Sequence, residues 1–166
     1  QAGTTTFANA LDGIYVHQMS DQITIGGTDP ADRNIISGNS RHGIFLDGDN
    51  TTFPVTNISM DGNLIGLSAG HSPMPNQEHG IAISYSRYVT IGSNDHAAVQ
   101  QFISGNAHDG ILITSSDHVD ILDSTLIGIA DWTGDTAADS PAGNGWNGMR
   151  LATDVTYVTV NSWKVA

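Results

Sequence analysis

Residues 34–46 read NIISGNSRHGIFL and residues 101–113 read QFISGNAHDGILI, one pattern returning after 67 positions. On either side, Gly followed by an apolar residue recurs at Gly13-Ile14, Gly43-Ile44, Gly80-Ile81, Gly110-Ile111 and Gly148-Met149, at spacings of 30, 37, 30 and 38. Short and long units therefore alternate. Finer echoes keep the same beat: YVTIGS (88–93) returns as YVTVNS (157–162), and NLIGL (63–67) as TLIGI (125–129). Between these marks lie short alternations of apolar and polar residues closed by Gly, Asn or Asp, which read as short strands; no stretch carries a 3.6-residue period. Several strands per unit, stacked in sequence register, describe an all-β parallel β-helix. Ile14, Ile44, Ile81, Ile111 and Met149 then form one inward ladder. Val16, Leu46, Ile83, Ile113 and Leu151 form the next, each residue one strand spacing, ~4.8 Å, from its equivalent.

Turn chemistry fits this reading. Asn39 and Asn106 follow ISG at one place in the repeat, and Asn63 follows DG at a related turn. Asn tolerates left-handed backbone, and stacked amides hydrogen-bond from coil to coil, so these three residues are expected to form a structural turn ladder. The Gly before each apolar residue is expected to mark a sharp corner.

The ISGN, GI and IG pattern resembles the right-handed parallel β-helix repeats of secreted bacterial proteins in the pectate-lyase-like superfamily, over about residues 9–163. The resemblance implies a right-handed solenoid of about five coils, here read as one domain over residues 1–166 without terminal caps. It leaves activity open, because that superfamily holds lyases, hydrolases, epimerases and adhesins. A lyase would need a cluster of acids for calcium and a cationic base on one outward face. Only Arg150 stands at the outward position after the repeat Gly, in an otherwise apolar column of Tyr15, Phe45, Ala82 and Leu112. No Asp-Asp pair and no DPH motif occurs. A carbohydrate-active enzyme is thus the alternative reading, with glycans as its partner class.

Composition bounds the rest. The chain has 166 residues with 17 acidic and 5 basic side chains, a formal charge of −12, and no cysteine. A groove that neutralises phosphates has almost nothing to be built from, which argues against nucleic acid. No apolar run approaches the ~18 residues of a membrane-spanning helix. Without Cys there is no disulfide framework and no thiolate site. The acidic, Lys-poor balance points to an extracellular or cell-surface protein.

Three further features follow from the register. The residue before the repeat Gly runs Asp12, His42, His79, Asp109, Asn147. Stacking brings His42 and His79 about 5 Å apart with acids above and below; the column reads as a polar corner beside solvent with no metal or other cofactor, and the alternative is a shared proton or a divalent metal with His42, His79 and Asp109 as candidate ligands. His17, His71, His96 and His118 are read in or near loops. The acids Asp131, Asp135 and Asp139, bracketed by Trp132 and Trp146, lack the alternating spacing of a calcium loop and read as a solvated loop, with weak calcium binding as the alternative. Thr24, Ser59, Thr90, Asp120 and Thr159 read as a solvated strand face. Finally, the first and last coils of such a stack expose main chain on one side. Phe7 and Leu11 at the head, with Val158, Val160, Trp163 and Val165 at the tail, are the expected interface of a head-to-tail homo-oligomer, an open structural fibre; the alternative expectation is an excerpt of a longer solenoid, part of a surface adhesin or an enzyme.

Overall fold

The computed structural model describes residues 8–50, 52–94, 99–130 and 141–161, and the backbone of 164–165. Phe7, His96, Asp131, Trp132, Asp135, Asp139, Trp163 and the side chain of Val165 lie outside the described residues. In chain order the strands are β1 (Ile14–His17), β2 (Asp21–Gly26), β3 (Ile35–Ile36), β4 (Ile44–Asp47), β5 (Val55–Asp61), β6 (Leu64–Ile65), β7 (Ile81–Ser84), β8 (Ser86–Ile91), β9 (Gln101–Ile103), β10 (Ile111–Thr114), β11 (Asp117–Ile121), β12 (Thr125–Ile127), β13 (Met149–Leu151), β14 (Thr156–Val160) and β15 (Lys164–Val165). Every third strand joins the same sheet, so three five-stranded sheets form: β1-β4-β7-β10-β13, β2-β5-β8-β11-β14 and β3-β6-β9-β12-β15. All strand pairings within them are parallel.

Both ladders expected on the first sheet are in register, Ile14 through Met149 and Val16 through Leu151. Ile58, Val89 and Val119 of the second sheet and Ile65, Ile103 and Ile127 of the third meet them in one buried cluster. Each fully buried Ile or Leu of this kind contributes about 1.5–3 kcal/mol. No single unit has two sides to close on, so the core exists only through stacking.

Period 2 fails at one place in the second sheet. Gln22, Asn57, Tyr88, His118 and Tyr157 all adopt left-handed backbone, with φ between 50° and 56°, and the pairing register passes over them. This repeated bulge places two outward residues in succession, as at Thr56 and Asn57 between buried Val55 and Ile58. It also places His118, read in or near a loop, within β11; His17 ends β1 beside the turn that follows it, as expected.

The alternation of unit lengths has a physical cause. In the long units, chain leaves the stack after β6 and β12 and folds back through antiparallel bridges, Leu67 to Pro73 and Ile129 to Pro141. Leu67, Ala130 and Ala142 thereby cover the outward residues Leu64, Phe102 and Leu126 in a second buried cluster. In the middle of the third sheet the outward column Leu64, Phe102 and Leu126 is thus as buried and apolar as the inward column Ile65, Ile103 and Ile127, whereas the outward sides of the first two sheets remain available to polar groups.

Candidate functional site

The chain passing from the third sheet into the first carries the richest side-chain chemistry. Counting back four from each repeat Gly gives Asn9, Asn39, Asn76, Asn106 and Asn144. Their amides form a continuous polar ladder: Asn9 Nδ2 donates to Asn39 Oδ1 at 2.8 Å, Asn39 to Asn76 at 2.8 Å, Asn76 to Asn106 at 2.8 Å and Asn106 to Asn144 at 3.0 Å. Asn76 and Asn144 also accept the backbone N–H of Asn39 and Asn106. Asn39 and Asn106 thus belong to one column, with Asn76 between them. Asn63 stands in a different one, where its Oδ1 accepts from Asn34 and its N–H donates to Gln101 Oε1.

The repeat glycines serve this ladder. They are not among the residues with positive φ, so the expected need for a special corner conformation is replaced by a need for space. A Cβ on Gly43, Gly80 or Gly110 would lie 2.5–2.7 Å from the carbonyl oxygen of the next repeat Gly and 2.7–2.8 Å from a ladder amide nitrogen. Any side chain there pushes neighbouring units apart.

Beside the glycines runs the column Asp12, His42, His79, Asp109, Asn147. Here each side chain accepts the backbone N–H of its successor: Asp12 Oδ1 from His42 at 3.1 Å, His42 Nδ1 from His79 at 3.3 Å, His79 Nδ1 from Asp109 at 3.2 Å, Asp109 Oδ1 from Asn147 at 3.2 Å. Carboxylate, imidazole and amide are interchangeable in this role because each presents an acceptor at similar reach. An imidazole can accept at Nδ1 only when neutral and protonated on Nε2. His42 has a use for that tautomer, since its Nε2 lies 3.1 Å from Glu78 Oε2.

Electrostatics agree with the tautomer. Burial pushes the His42 pKa below the ordinary histidine value, only partly opposed by Glu78 and Asp12. Burial, with the neighbouring His42, lowers His79 to about 4. One geometric tension remains at His79: its Nδ1 also lies 3.1 Å from Asp109 Oδ2, a contact that favours protonation. That oxygen already receives Arg150 Nε at 2.8 Å, so the buried N–H of Asp109 has the stronger claim on the imidazole lone pair. Burial alone would raise the Asp109 pKa; hydrogen bonds from Asn147 and Arg150 overturn this and hold the carboxyl below its usual range.

The His42 and His79 rings stack with centroids 5.2 Å apart and planes at 17°. Two ligands of one zinc-like ion stand at most roughly 4 Å apart, so equivalent nitrogens of this stack do not close on a shared ion. Among the described residues no three His, Asp or Glu side chains are gathered as a metal centre. Around the stack, Trp146 lies flat on His108 at 4.0 Å and 13°, and the Arg150 guanidinium stands 5.9 Å from the Trp146 ring. Arg41 lies 3.4 Å from Asp12 and 3.8 Å from Glu78. At the far edge of the first sheet Tyr15 donates to Asp47 at 2.6 Å, which, with burial and the charge of Asp47, pushes the phenol up to about 12. Arg150 and Tyr15, the outward residues that base or acid chemistry would recruit, are therefore each held by a carboxylate.

Of the expected interface, Leu11 and Val160 are exposed and Val158 is half-buried. Comparison with protein-family models, with curated proteins and with solved structures finds no match.

Proposed function

We propose that the chain is a right-handed parallel β-helix of about five coils with a structural role, outside the cell or on its surface, stacking end to end with further copies of itself. One observation carries the reading: the polar columns of the first corner are spent on hydrogen bonds from one coil to the next. Asn9 through Asn144 and Asp12 through Asn147 act as rungs, and the cations beside them are bound to acids. Catalysis asks for the opposite, a group left free to change its bonding. Acidic, Lys-poor, Cys-free composition supports the extracellular setting.

The rungs also suit self-stacking. The amide ladder is directional, each Nδ2 donating toward the later coil, so a copy placed in the same sense meets complementary groups. Among the described residues, β1, β2 and β3 on one side and β13, β14 and β15 on the other each have a single sheet neighbour. Leu11, Leu151 and Val160 are exposed at these levels by 60%, 48% and 41%. A heterologous contact of this kind repeats without closing and makes a filament. Sedimentation velocity and electron microscopy of wild type, Val160→Pro and Leu11→Asp test it. Filaments in wild type, lost in both variants while circular dichroism is retained, are expected. A wild type that stays monomeric at millimolar concentration overturns the stacking.

A further inference from the structure

The outward side of the second sheet differs from the first corner in having polar groups with nothing to bind. The bulge throws Tyr88, His118 and Tyr157 onto this face as a ladder of rings, with centroids 4.9 and 4.8 Å apart. Tyr88 and Tyr157 are 54% and 75% exposed. Beside the rings runs the column of small residues Ser59, Thr90 and Asp120, and the difference in height leaves a groove of about 330 Å³ lined by these three with Asn57, Tyr88 and His118.

Its chemistry is one-sided. The half-buried Asp120 carboxylate has no hydrogen bond or ion pair among the described residues, and the Ser59 and Thr90 hydroxyls have none either. Asn57 donates its amide N–H to Asp21 and so leaves its carbonyl oxygen as a free acceptor. No Arg or Lys side chain lines the groove: Arg87 lies 3.3 Å from Asp117 instead, and His118, which does line it, turns its Nδ1 to the same Asp117 carboxylate at 2.9 Å. Acceptors, one uncompensated carboxylate and exposed aromatic rings together select a cation with several N–H donors, which the charge of −12 attracts at long range. The groove runs along the stack, so an aliphatic stem can lie against the rings while its head reaches the carboxylate.

We propose that this groove binds a primary alkylammonium group, carried by a free amine or by a lysine side chain, with Asp120 as its counter-ion and Tyr88 and His118 as its apolar wall. The left-handed backbone does not distinguish the groove, since all five units share it. What is particular to the groove is the unpaired carboxylate in a column otherwise made of hydroxyl residues.

That column supplies a substitution compatible with the fold: Thr occupies the same register at 90 and 159, so Asp120→Thr removes the charge without disturbing the sheet. Isothermal titration with n-butylamine, Nα-acetyl-lysine methylamide and uncharged n-butanol reads the site. Saturable binding of the amine, absent for butanol, is expected, weakened at least tenfold in Asp120→Thr and several-fold in Tyr88→Asn, Asn already occupying the same bulge at 57. Asp49→Asn, which removes an acid outside the groove, should leave it unchanged. Binding of butylamine alone assigns the groove to a free amine; binding of both probes admits lysine. No saturable binding at millimolar amine, equal binding of butanol, or equal weakening by Asp49→Asn overturns the proposal.

Discussion

The asparagine ladder and the imidazole column run side by side, three residues apart in every unit, and solve one problem with different chemistry. Each must give a partner to backbone N–H groups that the turn removes from sheet pairing. An amide does this at any pH, because it carries a donor and an acceptor that do not titrate. Imidazole does it only while neutral, and between two units the column uses His where elsewhere it uses Asp or Asn. The Asn ladder therefore holds the stack unconditionally, and the histidine rungs hold it with a dependence on acid.

The strongest way to break both columns at once is to remove the core they border. Ile111 is fully buried in the inward ladder, and Ile111→Asp places an unpaired charge there, at a cost of several kcal/mol. Loss of the β-sheet circular dichroism signal and of any cooperative melting transition is expected.

Next in size is Asn76→Ala. It strips the acceptor from Asn39 N–H and Nδ2 and the donor from Asn106 Oδ1, all buried, and orphaned groups cost about 1–3 kcal/mol each. A destabilisation of about 3 kcal/mol or more in urea melts is expected. His79→Asn, at the parallel position, keeps an acceptor for Asp109 N–H and should cost less than about 1 kcal/mol at pH 7. Equal losses for the two variants would erase the distinction between the columns.

Acid sharpens that distinction. With its folded pKa near 4 against an ordinary value of 6.5, His79 takes up a proton more readily in the unfolded chain. Stability is then greatest above pH 6.5, falls as pH drops toward 4, and loses nothing further to this group below 4. His42 acts in the same direction. Asp109, its pKa lowered, contributes stability that goes only below the usual carboxylate range. Wild type should lose about 2–3 kcal/mol between pH 7 and 4, a melting-temperature fall on the order of 5–10 °C. His79→Asn should flatten most of that slope; an unchanged slope would mean the rung does not depend on the neutral ring. The smallest effect is expected for Thr90→Ser on the outward face, within about 0.5 kcal/mol.

Much of the molecule was legible from the repeat. Gly-Ile spacing set the register of five units, and the inward ladders fall where alternation puts them, because burial on one side of a strand imposes period 2. Asn39 and Asn106 were visible through their ISG context, whereas Asn76 and Asn144 were not, since the long units separate them from that motif. The offset of four residues before each Gly identifies all five members, a signal present in the sequence and readable once the ladder is known. The bulge at Gln22, Asn57, Tyr88, His118 and Tyr157 was not readable, because left-handed backbone at Tyr contradicts local preference and is held by its neighbours in the sheet.

The all-β class, the parallel register and the apolar inside follow from residue order alone, through periodicity and through units too short of partners to fold singly. The remaining features depend on how the units pack. The structure showed that the repeat glycines are there for the room they leave to a neighbouring amide, and that His42 and His79 are acceptors for backbone N–H groups. It also separated the polar residues that are consumed in stacking from Asp120, which has no partner among the described residues. Those distinctions depend on which atoms of different units come within 3 Å of one another, a quantity that spacing along the chain does not contain.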